Sequence, residues 1–215
     1  MRRGPSRRGL LAGAGATVAG LGVGAYGLRR GLTGAGQQDP GRPVNPQARR
    51  PGAVDYAGAR WVPAAPANWR HAARPGDFLV EQVVVHVVQG TLELALEVFQ
   101  DPRHAAAAHY VVGRDGRIVQ TVLESDVAFH AGNSQVNEGS IGIEHEGWVG
   151  RASSFTDAMY RASARLTATV CRRYGIPVDR DHVIGHLEVP GSDHTDPGPF
   201  WDWDRYLGLV GTART

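Results

Sequence analysis

The chain has 215 residues, enough for one ordinary domain with a further segment in front of it. The formal net charge is only +2, and the first 30 residues hold six arginines and no acid, so the body of the chain lacks the basic footprint of a nucleic-acid binder. A single cysteine, Cys171, excludes a disulfide scaffold; with no activating base nearby, it reads as a small buried residue of an amphipathic helix.

In chain order, Ser6-Arg7-Arg8-Gly9-Leu10-Leu11 precedes a weakly apolar Ala/Gly/Val/Leu run that ends near Leu28. This resembles a twin-arginine export signal over residues 1–36, an address read by the twin-arginine translocation machinery. Glycine costs about 1 kcal/mol per position inside a helix, which argues against a stable membrane helix. An uncleaved anchor stays open as an alternative, since about 18 apolar residues can span a bilayer. The expected destination is the periplasm, the cell wall or the medium. Residues 37–76 are expected to form a linker and an irregular lead-in, first rich in Gly, Pro, Gln and Arg, then marked by Trp61, Pro63, Pro66, Trp69 and Pro75. The catalytic domain is expected over residues 77–210.

Val83-Val84-Val85-His86-Val87-Val88 is a β-branched run suited to a strand buried on both faces. Thr91 can cap a helix over Leu92 to Phe99. Ala108 to Val112 and Ile118 to Val122 flank Asp115-Gly116, a strong hairpin signal. Ser140 to Glu146 alternates as another strand. Ser153, Ser154 or Thr156 can cap a long helix that Gly175 ends near Tyr174. Val183 to His186 reads as a short strand and Asp202 to Val210 as a terminal helix. The resulting class is α/β, a mixed central sheet flanked by helices.

Nine histidines invite a metal hypothesis, though each alone is weak evidence. His86 stands inside an apolar strand, where an unpaired imidazole would cost about 1–3 kcal/mol. Metal ligation would satisfy it, and so would a plain hydrogen bond. His186 ends another apolar run, and Asp196 follows ten residues later in a loop stiffened by Pro197 and Pro199. Two histidines and a carboxylate form a common catalytic zinc set with an open fourth position. Glu144 is either a solvent-facing strand carboxylate or an acid–base group, and Glu146 shares its side-chain parity.

Five blocks bear on the choice: Val83–His86, Ala108–Gly116, Phe129-His130-Ala131-Gly132-Asn133-Ser134, Ser140–Gly147, and Gly185-His186 with Thr195-Asp196-Pro197-Gly198-Pro199. Together, in this order, they resemble the type 2 N-acetylmuramoyl-L-alanine amidase family, which includes phage lysozyme-type amidases and is related to peptidoglycan recognition proteins. The resemblance implies a single zinc amidase domain that cuts the bond between N-acetylmuramic acid and L-alanine in peptidoglycan. It implies Zn2+ on His86, His186 and Asp196, and Glu144 as general base. A lysine that steadies the oxyanion in many relatives is replaced here by His194. His109 is expected to line the cleft or support the metal, His130 to line the substrate groove, and Asn133 to offer amide hydrogen bonds to a muropeptide, with a plain turn role the alternative for Asn133. The expected partner is peptidoglycan or a muropeptide, and the expected state is a monomer. The alternatives are a non-catalytic peptidoglycan-binding module and an amidase for anhydro-muropeptides. The filled ligand and acid positions disfavour the first, and an exported location disfavours the second.

Overall fold

The structure, a computed structural model, describes residues 52–213. The export-signal reading and the first part of the linker lie outside the described residues. Strands β1 (Ala59–Trp61), β3 (Gln82–Val87), β4 (Tyr110–Val112), β5 (Ile118–Gln120), β7 (Ser140–His145) and β8 (Val183–Gly185) form one sheet in the order β1-β5-β4-β7-β3-β8. All neighbours are parallel except the β4–β5 hairpin. A small antiparallel pair, β2 (Trp69–Arg70) with β6 (Val127–Ala128), stands beside it. The helices are α1 (Leu92–Gln100), α2 (Ser134–Gly139), α3 (Asp157–Tyr174) and α4 (Trp203–Thr212).

The caps follow the local chemistry. Thr91 Oγ1 accepts from the Leu94 amide at the start of α1, and Thr156 does the same for Met159 at the start of α3. Asp202 caps α4 through the Arg205 amide, and Gly175 ends α3 in the left-handed conformation. Val83, Val85, Val87, Tyr110, Ile141 and Ile143 turn one face of the sheet toward Met159, Leu166 and Val170 of α3 and Tyr206 and Val210 of α4. On the other face, Val111 and Val119 pack with Leu92, Ala95 and Phe99 of α1 and with Ala64 of the lead-in.

The lead-in is less irregular than its sequence suggests. Its β1 extends the sheet edge beside β5, and Asp55 caps the end of that pair by accepting from Gln120 and from the Glu124 amide. The folded unit therefore begins well before residue 77. Arg74, buried despite its charge, donates to the carbonyls of Glu124, Glu138 and Ser140 and ties the lead-in to the start of β7. These pairings are long-range and leave no local periodicity to read. Among the described residues no helix is long and apolar enough to cross a membrane.

Candidate active site

The parallel order β7-β3-β8 assembles the site at the carboxyl ends of three strands. His86, next to last in β3, is in register with Glu144 of β7, so both side chains leave the same face. On the other flank the pairing of β3 with β8 ends at Val85 and Gly185, and His186 is the next residue. The His86 and His186 rings lie 4.4 Å apart.

Asp196 is brought back to this point by backbone contacts. The Leu187 amide donates to the Asp196 carbonyl at 2.9 Å, and the Val87 amide donates to Asp196 Oδ2 at 3.2 Å. Gly185 permits the close return, since a Cβ there would stand 2.6 Å from Pro197 Cδ. Asp196 Oδ2 is 3.5 Å from His86 Nδ1, and Oδ1 is 3.3 Å from His186 Nδ1. One atom from each of His86, His186 and Asp196 lies within 4.8 Å of the other two, and all three residues are buried.

The electrostatics suit a cation. Burial lowers the His86 pKa to about 4, so the ring is neutral and its lone pair is available at neutral pH. Burial alone would raise Asp196, but the hydrogen bonds of His186 and His194 and the nearness of the His86 ring outweigh it and hold the carboxyl ionised far below the usual range. Burial, reinforced by the charge of Asp196, pushes Glu144 well above its ordinary value. Its Oε2 is buried without a hydrogen-bond partner among the described residues. Such an orphan costs about 1–3 kcal/mol unless something polar or cationic stands beside it. Two imidazoles, that of His86 neutral, an ionised carboxylate and an acid with an orphaned oxygen fit a divalent metal ion with a ligated water.

His194 stacks on His186 with ring centroids 4.0 Å apart, and its Nδ1 lies 3.5 Å from Asp196 Oδ1. The hydrogen bond to Asp196 raises its pKa. All 23 basic residues of the chain are arginine, so no lysine can take the oxyanion role elsewhere in the sequence. Leu187 and Phe200, each about half exposed, flank the ligand segments as apolar surface that sequence reading did not single out.

The expected groove residues need correction. His109 is fully buried: its Nδ1 accepts from the Gly142 amide, and its Nε2 faces Arg74 and the Asp126 carbonyl, so no edge is left for substrate. Asn133 is the N-cap of α2, accepting from the Val136 amide and donating to the Pro190 carbonyl. This is the turn role, not a ligand contact. His130 is buried behind His86, with its Nδ1 3.0 Å from His86 Nε2. Glu146 accepts from the Arg114 amide on the exposed side of the β7 end and is not part of the cluster. Sequence reading also missed Asn137, whose Oδ1 accepts from the amides of His130 and Ala131 and shapes that loop.

A buried two-histidine, one-carboxylate ligand set beside an orphaned glutamate, at the strand ends of an α/β sheet, is the layout of a metal-dependent hydrolase. The profile of the family described as N-acetylmuramoyl-L-alanine amidase matches residues 75–199. The chain is 33% identical over 176 residues to N-acetylmuramoyl-L-alanine amidase A of Achromobacter lyticus, covering 74% of this chain and 96% of that protein. It is 34% identical over 182 residues to the 1,6-anhydro-N-acetylmuramyl-L-alanine amidase AmpD of Escherichia coli, covering 74% of this chain and 95% of that one. A crystal structure of an AmpD derivative superposes with a TM-score of 0.61 at 31% identity, covering 74% of this chain and 99% of the other. The chain belongs to the N-acetylmuramoyl-L-alanine amidase family.

Proposed function

We propose that this protein is a cell-wall hydrolase that uses zinc, held by His86, His186 and Asp196, to cleave the amide between N-acetylmuramic acid and L-alanine. The observation that carries this reading is the orphaned Oε2 of Glu144 beside the converging ligand set. A protein that only bound glycan would have no use for an acid that leaves one oxygen without a partner beside a ligand set. When bound, zinc supplies Lewis acidity, polarising a carbonyl and acidifying water. Glu144 accepts a proton from the attacking water, whose oxygen bonds to the carbonyl carbon of the muramoyl lactyl group. As the C–N bond breaks, Glu144 returns the proton to the alanine nitrogen, which leaves as an amine, and the muramoyl side leaves as a carboxylic acid that gives up its remaining proton to solvent. His194, oriented by Asp196, offers a ring N–H toward the developing oxyanion in place of a lysine.

The relatives' names cover both an N-acetylmuramoyl-L-alanine amidase and a 1,6-anhydro-N-acetylmuramyl-L-alanine amidase, and the metal site serves either, since choice of substrate resides in the surrounding loops. The twin-arginine pattern near Arg7-Arg8 favours export and the intact wall. The test is digestion of purified peptidoglycan, with an anhydro-muropeptide in a parallel arm, followed by mass analysis. Stem peptides with a free L-alanine amine are expected, abolished by a chelator and restored by zinc. Release of reducing sugar ends alone would exclude an amidase. Faster turnover of the anhydro substrate would move the enzyme to the recycling side.

A further inference from the structure

We propose that His130 is a positioning residue that sets which nitrogen of His86 faces the metal; this rests on the zinc reading above. The chain of hydrogen bonds behind His86 starts at a group that can only accept. The carbonyl of Val136, in α2, receives the hydroxyl proton of Ser140, the first residue of β7. With that proton committed, Ser140 Oγ presents a lone pair to His130 Nε2, 3.2 Å away, and so Nε2 carries the hydrogen. The neutral His130 ring then has its lone pair on Nδ1, 3.0 Å from His86 Nε2. His86 must donate there from Nε2, which leaves the lone pair of His86 on Nδ1, the atom that faces Asp196. One backbone carbonyl thus directs three hydrogen bonds in series and ends in a ligand of defined tautomer.

The ring of His130 has a seat cut for it. A Cβ on Gly142 would stand 2.5 Å from His130 Cγ and 2.7 Å from its Nδ1. Only glycine lets the imidazole lie flat against β7, one strand position pair before Glu144 on the same face. The backbone amides of His130 and Ala131 are fixed by Asn137 Oδ1 at 3.1 and 2.8 Å, so the ring is held from both ends. The histidine of the Phe129-His130-Ala131-Gly132 block therefore acts on the metal through His86 rather than on the substrate.

Zinc affinity is measured by chelator competition on the native protein, H130A, H130N and G142A, and the ring tautomer of His86 by nitrogen-15 NMR of the zinc-loaded proteins. Loss of this support is expected to weaken zinc binding by about 10–100-fold in H130A, as for other partners of metal-bound histidine. G142A, which unseats the ring without removing it, is expected to fall in the same direction. Asparagine can place its amide oxygen where Nδ1 stood, so H130N is expected to recover to within a few-fold of native and to keep hydrogen on His86 Nε2. Equal affinity and an unchanged His86 tautomer in H130A and G142A would overturn the inference. The native protein alone decides it if H130A fails to fold, because hydrogen on His86 Nδ1 in the loaded native chain also overturns it. Failure of the native protein to bind zinc would instead bring down the metal reading, and this inference with it.

Discussion

His86 and His145 lie at the same end of the sheet, on adjacent strands one position out of register, and face opposite ways. Both are buried, and burial lowers both pKa values to about 4. His145 points into the α3 side, where its Nδ1 donates to the His86 carbonyl at 2.9 Å, its Nε2 meets Ser163 Oγ at 2.7 Å, and its ring packs on Trp201. Its polar needs are complete within the protein. His86 points to the other face, where one nitrogen is met by His130 and the other converges with His186 and Asp196. The same residue type at the same depth is a finished structural part on one face and an open ligand on the other. What separates them is whether a neighbouring segment closes the last polar contact.

The contrast between the two faces can be broken by substitution. The largest effect is expected on the open face. Glu144→Gln keeps the shape but removes the base, so kcat should fall by about 10²–10⁴-fold while zinc content, read by metal analysis, stays at the native level. Unchanged turnover would take Glu144 out of the mechanism. On the closed face, Leu166→Ala should cost about 2–5 kcal/mol of unfolding free energy in denaturant titrations, because Leu166 is fully buried between α3 and the sheet. Its zinc affinity and its kcat below the melting range should match the native protein. A loss of metal in that variant would show that the faces are coupled. His145→Ala is the finest cut, since it leaves the His86 carbonyl and Ser163 to find new partners. A loss of about 1–3 kcal/mol is expected, with zinc content unchanged. A drop in zinc content would mean that His145 supports the site from behind.

Elements governed by local chemistry were legible. The Thr91 and Thr156 caps, the Asp115-Gly116 hairpin and the Gly175 stop each depend on a few adjacent residues. The ligand trio was only one option among several from the residues themselves, and the ordered family blocks singled it out. The strand β1 escaped notice because its pairing with β5 is parallel and distant, and its three residues carry no alternation of their own. The placements of His109 and His130 were not legible for a related reason. Both lie in the right blocks, but which imidazole reaches His86 depends on Gly142, Ser140 and Asn137 meeting in three dimensions. A glycine that makes room for a ring from another segment leaves no periodic trace.

The amide of Val87 holding Asp196 spans a sequence separation of 109 residues, and that span has a kinetic consequence. In a growing or refolding chain, the neighbouring pairs β4–β5 and β3–β7 can form before the Asp196 loop arrives. The ligand set cannot close until β8 has docked on β3 and the loop has folded back over its end. Chains rich in contacts of such range fold more slowly than those built from local ones. On the zinc reading, the ligand set is complete only when the whole topology is in place.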